Sequence, residues 1–214
     1  MLQTATEYAE AYKQAFDHDA LTQGAWHTER DGRQLACALG VLGEEVDDPS
    51  KCPAQIMPRW LAQMVPTFFD RQKAGDAFAW GLAFTAELAR IDGKVPFSVV
   101  HDWHANTVCQ LGIDAAEKRG RDTAPHKALQ TLHLRALAGE KISADEWRPV
   151  LKTAYAYAYA YAYADADADA DAYADADADA YAAAYAYAYA YADADVWKRL
   201  AVGMVEALKR VEAA

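Results

Sequence analysis

His101, His104 and Cys109 are the residues whose types and spacing could support chemistry. Residues three positions apart share one face of a helix, so the two imidazoles can reach a common metal ion. Imidazole and thiolate groups are ligands that Zn²⁺ prefers, and Cys37 or Cys52 could supply a fourth. The spacing matches no standard zinc module. We therefore retain this group as a candidate metal site, with hydrogen-bonded helix residues at the surface or in the core as the alternative interpretation.

Catalytic arrangements that need no metal have less support in the sequence. A thiol of Cys109 or Cys52 beside a histidine could act as a nucleophile, but the surrounding residues predict no strained turn and no oxyanion-binding loop. The chain also has no Gly-rich phosphate loop and no dinucleotide-binding pattern. We therefore predict no catalytic residue and no cofactor, and we expect that the protein is not an enzyme.

The elements that would position these residues are helical. Helical periodicity of apolar residues predicts an all-α globular domain over residues 1–142, without any run of alternating β-branched residues. Residues 17–31 and 44–57 are expected to be loops. The predicted helices cover residues 4–16, 35–42, 58–69, 74–91, 96–118 and 123–138.

Residues 143–214 are predicted as a second region, which consists of a capped helix, a tandem repeat and a C-terminal amphipathic helix. Ser143 and Glu146 have the spacing of a capping box, so a helix is expected to begin there and to run into the repeat. After the repeat, Leu200, Met204 and Leu208 share one helix face.

The repeat, residues 154–195, has a period of two residues. Ala occupies every even position, and Tyr or Asp occupies every odd position except Ala183. The repeat holds 11 of the 13 tyrosines of the chain, and its nine aspartates account for nine of the 11 net negative charges. Outside the repeat, the composition is that of an ordinary folded domain.

Two structures compete for the repeat. In a β-strand the period of two places all Ala on one face, but the tract has no Gly, Pro or Asn at which a hairpin could turn. In a helix the abundant Ala is favourable, and no Gly, Pro or β-branched residue opposes it. We predict a long helix or a helical hairpin broken near the Asp-rich centre, with a β hairpin or β stack as the alternative.

Charge and hydropathy exclude several classes of protein. Phosphate contacts need clustered Lys and Arg, so a chain with a net charge of −11 is not expected to bind nucleic acid. The sequence contains no apolar run of ~18 residues and no signal-peptide pattern, so we expect no membrane partner. Three cysteines do not make a disulfide framework and are typical of a reducing compartment. We therefore expect a cytoplasmic protein.

The repeat supports two interpretations of function. Tyr and Asp codons differ only at the first base, and Asp and Ala codons only at the second. Expansion of a short nucleotide repeat by slippage could therefore have produced a tolerated spacer. Alternatively, its tyrosines form a contact surface, because Tyr offers rigid amphipathic area. The candidate interaction residues are Tyr155, Tyr157, Tyr159, Tyr161, Tyr163, Tyr185, Tyr187, Tyr189 and Tyr191.

We therefore predict a non-enzymatic interaction protein that binds itself or a protein partner through the repeat. One alternative is a metal-binding protein or enzyme centred on His101, His104 and Cys109. The other is a structural protein that assembles through the repeat.

The segments from Cys52-Pro53 to Trp60-Leu61-Ala62 and from Ser143 to Trp147 carry a resemblance. With an Ala-rich tract after them, they resemble a loose group of uncharacterised phage- or prophage-type and immunity-like bacterial proteins. The resemblance covers about residues 25–69 and 123–165. It implies a helical C-terminal region and a role in conflict between genomes, and it supplies no catalytic residue. The strict period of two departs from the Ala-Ala-Ala-X spacing of that group.

Overall fold

The computed structural model describes residues 1–162 and 194–213, with side chains over 1–154 and 195–213. The chain divides into two compact units, which are described separately: unit 1 is Met1–Pro96 with Trp197–Ala214, and unit 2 is Phe97–Val196. The predicted boundary between residues 142 and 143 stays a prediction.

Over the described ranges the protein is mainly helical, which confirms the α class of the prediction, and one small two-stranded sheet is added. None of the helices described is both long and apolar enough to cross a membrane. The helices are α1 (Ala5–Asp17), α2 (Arg59–Asp70), α3 (Ala74–Arg90), α4 (Ser98–Trp103), α5 (Cys109–Lys118), α6 (Ala124–Leu137), α7 (Ala144–Ala162) and α8 (Ala194–Lys209).

In unit 1, helix α1 begins at a capping box and buries its aromatic face. The Thr4 hydroxyl accepts a hydrogen bond from the Glu7 amide, and the Glu7 carboxylate accepts one from the Thr4 amide. Tyr8 and Tyr12, one turn apart, are fully buried. Their hydroxyls donate to backbone oxygens, so each phenol is buried with its polar group satisfied.

Helix α8 belongs to the core of unit 1 from Trp197 onward. The Trp80 indole on α3 donates to the Ala201 carbonyl over 2.9 Å. The Arg90 guanidinium donates to the Leu208 and Val211 carbonyls over 2.8 and 2.9 Å. Arg90 therefore gives the Leu208 carbonyl a second donor beside the Val211 amide and binds the Val211 carbonyl just past the end of α8.

The loop and short helix predicted around residues 27–42 were wrong in part. Strands β1 (His27–Arg30) and β2 (Arg33–Ala36) form an antiparallel hairpin, and only residues 40–42 make a single 3-10 turn. The cause is the connection Asp31-Gly32, since both residues adopt positive φ angles of 53° and 74°. Such a pair favours the tight turn whose twist matches a hairpin.

In unit 2, helices α4 and α5 are joined without a break by a π-helical turn over His104–Val108. The sequence predicted one helix over residues 96–118 with an interruption near Gly112, and the structure places the irregular turn earlier. Helix α6 packs against both ends of this long helix and against α7. Buried Cys109, Leu129 and Ala154 form a small core that Val150 and Leu151 extend.

The predicted capping box of α7 is present. The Glu146 amide donates to the Ser143 hydroxyl, and the Ser143 amide donates to the Glu146 carboxylate, over 3.3 and 3.4 Å. Helix α7 continues to Ala162, so residues 154–162 of the repeat are helical. Residues 163–193 lie outside the described residues, and the choice between helix, helical hairpin and β structure stays a prediction there.

Candidate functional site

Four aromatic rings of unit 2 form the candidate site, which we call the His–Trp cluster: His101, His104, His133 and Trp147. The His104 and His133 rings stack, with centroids 4.5 Å apart and planes inclined by 12°. The Trp147 ring stacks on His101 at 5.9 Å and meets the edge of His133 at 4.9 Å.

Each ring reaches the cluster from a different element. His101 lies on α4 and His104 opens the π turn, so the spacing of three residues does bring both imidazoles to α6. His133 lies on the buried face of α6 with Leu129. Trp147 stands in the first turn of α7. The cluster therefore joins the first turn of α7 to α4 and α6.

Two imidazoles of the cluster are in direct polar contact. The Nδ1 atoms of His101 and His133 are 3.1 Å apart, which is hydrogen-bonding distance. A neutral imidazole has one donor and one acceptor nitrogen, so one ring donates and the other accepts. Two protonated rings would place two donors against each other.

Burial keeps these imidazoles neutral. His133 is only 4% exposed, and burial holds its pKa well below the usual range. Repulsion from a positive charge on His104 or His101 would lower it further. Burial also lowers the pKa of the half-buried His101. On α6, burial lowers the pKa of His126 to about 4, although the Asp122 carboxylate opposes this shift. The charged form is disfavoured because the surroundings solvate it poorly.

Cys109 does not join the predicted histidine pair in the His–Trp cluster. Its thiol lies in the small core with Leu129 and Ala154, and burial raises its pKa to about 12. A metal ligand or nucleophile must be the thiolate, which this environment disfavours.

Within residues 1–162 and 194–213, no group of three or more His, Cys, Asp or Glu side chains is placed to hold a metal ion. We therefore assign none of His101, His104 and Cys109 as a ligand. Metal binding stays a prediction.

His133 and Trp147 were not predicted as site residues. Their signal was available, because His126 and His133 are seven residues apart and lie on one face of a helix. The position of Trp147 directly after the capping box also marks it as an inward residue.

The tyrosines predicted as interaction residues fall elsewhere. The side chains of Tyr155, Tyr157, Tyr159 and Tyr161 lie outside the described residues, although their backbone belongs to α7. Tyr163 and residues 185–191 lie outside them entirely.

Comparisons with known proteins return no match. No family model fits the chain, and neither the curated proteins nor the solved structures contain a significant relative.

Proposed function

We propose that this is a non-enzymatic interaction protein whose repeat mediates self-association or binds a protein partner. The supporting observation is that the segments flanking the repeat are built into folded units at both ends. The repeat is therefore an internal segment between two anchors.

The anchor before the repeat is α7. Ala154, the first residue of the repeat, is 2% exposed and packs with Cys109 and Leu129. Because the helix continues to Ala162, the repeat leaves unit 2 in a fixed direction at its start.

The anchor after the repeat is α8. Trp197 and Leu200 are buried in unit 1, and the Lys198 ammonium lies 2.7 Å from the Asp76 carboxylate on α3. Only one residue separates Trp197 from the last aspartate of the repeat.

The repeat carries 11 tyrosines and nine aspartates. Its tyrosines offer ring area for contact and a hydroxyl for hydrogen bonding, at a small cost in side-chain entropy. Its aspartates keep copies apart at low ionic strength, so association is expected to strengthen with salt. The resemblance to phage-type and immunity-like proteins makes a protein of a competing genome the partner class to examine first.

The test uses two matched variants of the full chain. In one, the nine candidate tyrosines become Gln; in the other, the nine aspartates of the repeat become Gln. Both variants keep the length, the Ala frame and the number of substitutions, and Gln is a good helix former. Light scattering after chromatography measures the mass, and quantitative mass spectrometry compares the proteins that co-purify from the native host.

We expect the Tyr variant to lose self-association or the co-purifying partner, while the Asp variant keeps it because only repulsive charge was removed. Equal masses and equal co-purifying proteins for the wild type and the Tyr variant would contradict the proposal.

A further inference from the structure

We propose that the His–Trp cluster is a pH-sensitive attachment that releases the start of α7 from α4 and α6 when its imidazoles gain protons. The inference does not depend on what the repeat binds, because it concerns only how unit 2 holds the helix that leads into the repeat.

The contact between His101 and His133 is lost when both rings are protonated. The 3.1 Å between their Nδ1 atoms requires one donor and one acceptor. A first proton can be held at Nε2 of the donating ring, which leaves the contact intact. A second proton, on the accepting Nδ1, places two donors against each other and turns the attraction into repulsion. The second charge would also lie in a buried site, since His133 is 4% exposed and His104 stacks on it.

Trp147 transmits this change to α7. Its ring is parallel to His101, inclined by 15°, and it meets His133 edge-on. His133 is 4% exposed and contacts this ring, so movement of Trp147 and the first turn of α7 gives this imidazole access to water. Trp147 also packs with Val150 and Leu151 against the core around Ala154, and these apolar contacts do not titrate.

Other titratable groups lie on the elements that pack around the cluster. On α4 the Asp102 carboxylate accepts a hydrogen bond from Asn106, and on α5 the Cys109 thiol is protonated. Between α6 and α7 the Arg135 guanidinium donates to Glu146 over 3.0 Å, and on α7 Arg148 lies 3.3 Å from Asp145. These ion pairs are exposed and contribute little. They also persist until pH falls to the carboxylate range, below that of histidine.

The experiment is hydrogen exchange of the full chain, measured by mass spectrometry at about pH 7.5 and about pH 5.5 and corrected for the intrinsic pH effect. The acid condition stays above the isoelectric point of about 4.9 so that the protein remains charged. Opening that lets one histidine titrate becomes about tenfold more favourable over this interval, and opening that lets two titrate becomes about a hundredfold more favourable.

We expect a ten- to hundredfold increase in opening over the start of α7, residues 147–154, and little change in α1 and α3. Equal opening of α7 at both pH values would overturn the proposal. So would α5 of the same unit opening as readily as α7 at about pH 5.5, or an increase of the same size in α1 and α3, because unit 2 or the whole chain would then be unfolding.

Substitutions at two buried histidines of α6 give a matched pair. His133→Phe keeps a ring beside Trp147 and removes the titrating nitrogens. His126→Phe makes the same exchange two turns earlier on the same face of α6, outside the cluster. We expect the pH effect on α7 to shrink in His133→Phe and to remain in His126→Phe; the reverse pattern would overturn the proposal. If His133→Phe does not fold, His101→Gln serves in its place, with the same expected and contrary results.

Discussion

At the scale of single residues, the packing of unit 1 depends on a glycine. A Cβ atom placed on Gly81 in α3 would lie 2.0 Å from the Tyr12 hydroxyl oxygen, which is far too close for two non-bonded atoms. Tyr12 is fully buried and donates to the Phe78 carbonyl over 3.2 Å, so the phenol cannot move aside without losing that bond.

Two substitutions in α3 test this packing. We expect Gly81→Ala to lower the free energy of unfolding by ~1–3 kcal/mol because it overfills the core. Gly75→Ala, on the same helix with open space around it, should raise the free energy of unfolding by up to ~1 kcal/mol through helix propensity. Urea unfolding measures both; a Gly81→Ala protein as stable as Gly75→Ala would show that the close approach does not exist.

The His–Trp cluster shows what single residues reveal in advance. The spacing of His101 and His104 suggested that the two imidazoles could share a face, and in the structure both contact His133. Their real neighbour, His133, lies on another helix, and the choice between it and Cys109 depends on how α5 and α6 pack. Such packing joins residues distant in sequence, and local spacing carries no information on it.

At the scale of elements, α8 is held in unit 1 by polar contacts to its backbone as well as by apolar burial. Arg90 reaches two carbonyls near the end of α8, and it is also paired with Glu87 on its own helix over 2.6 Å. The guanidinium matches this geometry because its donors point in fixed directions.

We expect Arg90→Met, which keeps much of the apolar stem, to destabilise unit 1 by ~1–2 kcal/mol, since charge-assisted hydrogen bonds to the helix end are lost. Arg33→Met on strand β2 is the control, because an exposed surface change stays within ~0.5 kcal/mol. Thermal unfolding followed by circular dichroism compares them. Equal stabilities of the two variants would refute the role given to Arg90.

The long helices were predictable because their buried residues recur with helical period, as Tyr8 and Tyr12 do in α1. The hairpin was not predicted, because its strands have four residues each and only Leu35 is buried. Its one clear signal was the turn Asp31-Gly32. The inclusion of α8 in unit 1 has no local signal, since Trp80 and Ala201 are 121 residues apart.

At the scale of the whole molecule, the histidines with lowered pKa values all lie in unit 2, and they predict that this unit loses stability in mild acid. His101, His126 and His133 have folded-state pKa values below their unfolded value of about 6.5. The unfolded chain therefore binds protons first as the pH falls. Stability is full above about pH 6.5 and decreases below it, until the pH reaches the folded-state values.

Each such histidine lowers the free energy of unfolding by up to ~1.4 kcal/mol per pH unit below that point. We expect urea unfolding to show a clear decrease between about pH 7.5 and pH 5.5, before the carboxylates titrate. His126→Gln should reduce the slope by one histidine's share. A stability that is constant over this interval would show that these imidazoles are not buried as described.

The central claim concerns the tyrosines of the repeat, and they can be observed directly. All tyrosines of the chain except Tyr8 and Tyr12 belong to the repeat, and those two are fully buried. Light-driven oxidation couples tyrosine rings that are in contact. In a mixture of ordinary and ¹⁵N-labelled full-length chains, the products therefore report contacts of the repeat almost alone.

This coupling measurement tests the account most directly. We predict products that join a labelled repeat to an unlabelled one, or a repeat to a co-purified partner. The variant with nine Tyr→Gln substitutions should form far fewer of them, because only Tyr173 and Tyr181 remain in its repeat. Products confined to single chains, in the mixture and in the presence of host proteins, would contradict the claim that the repeat mediates interaction.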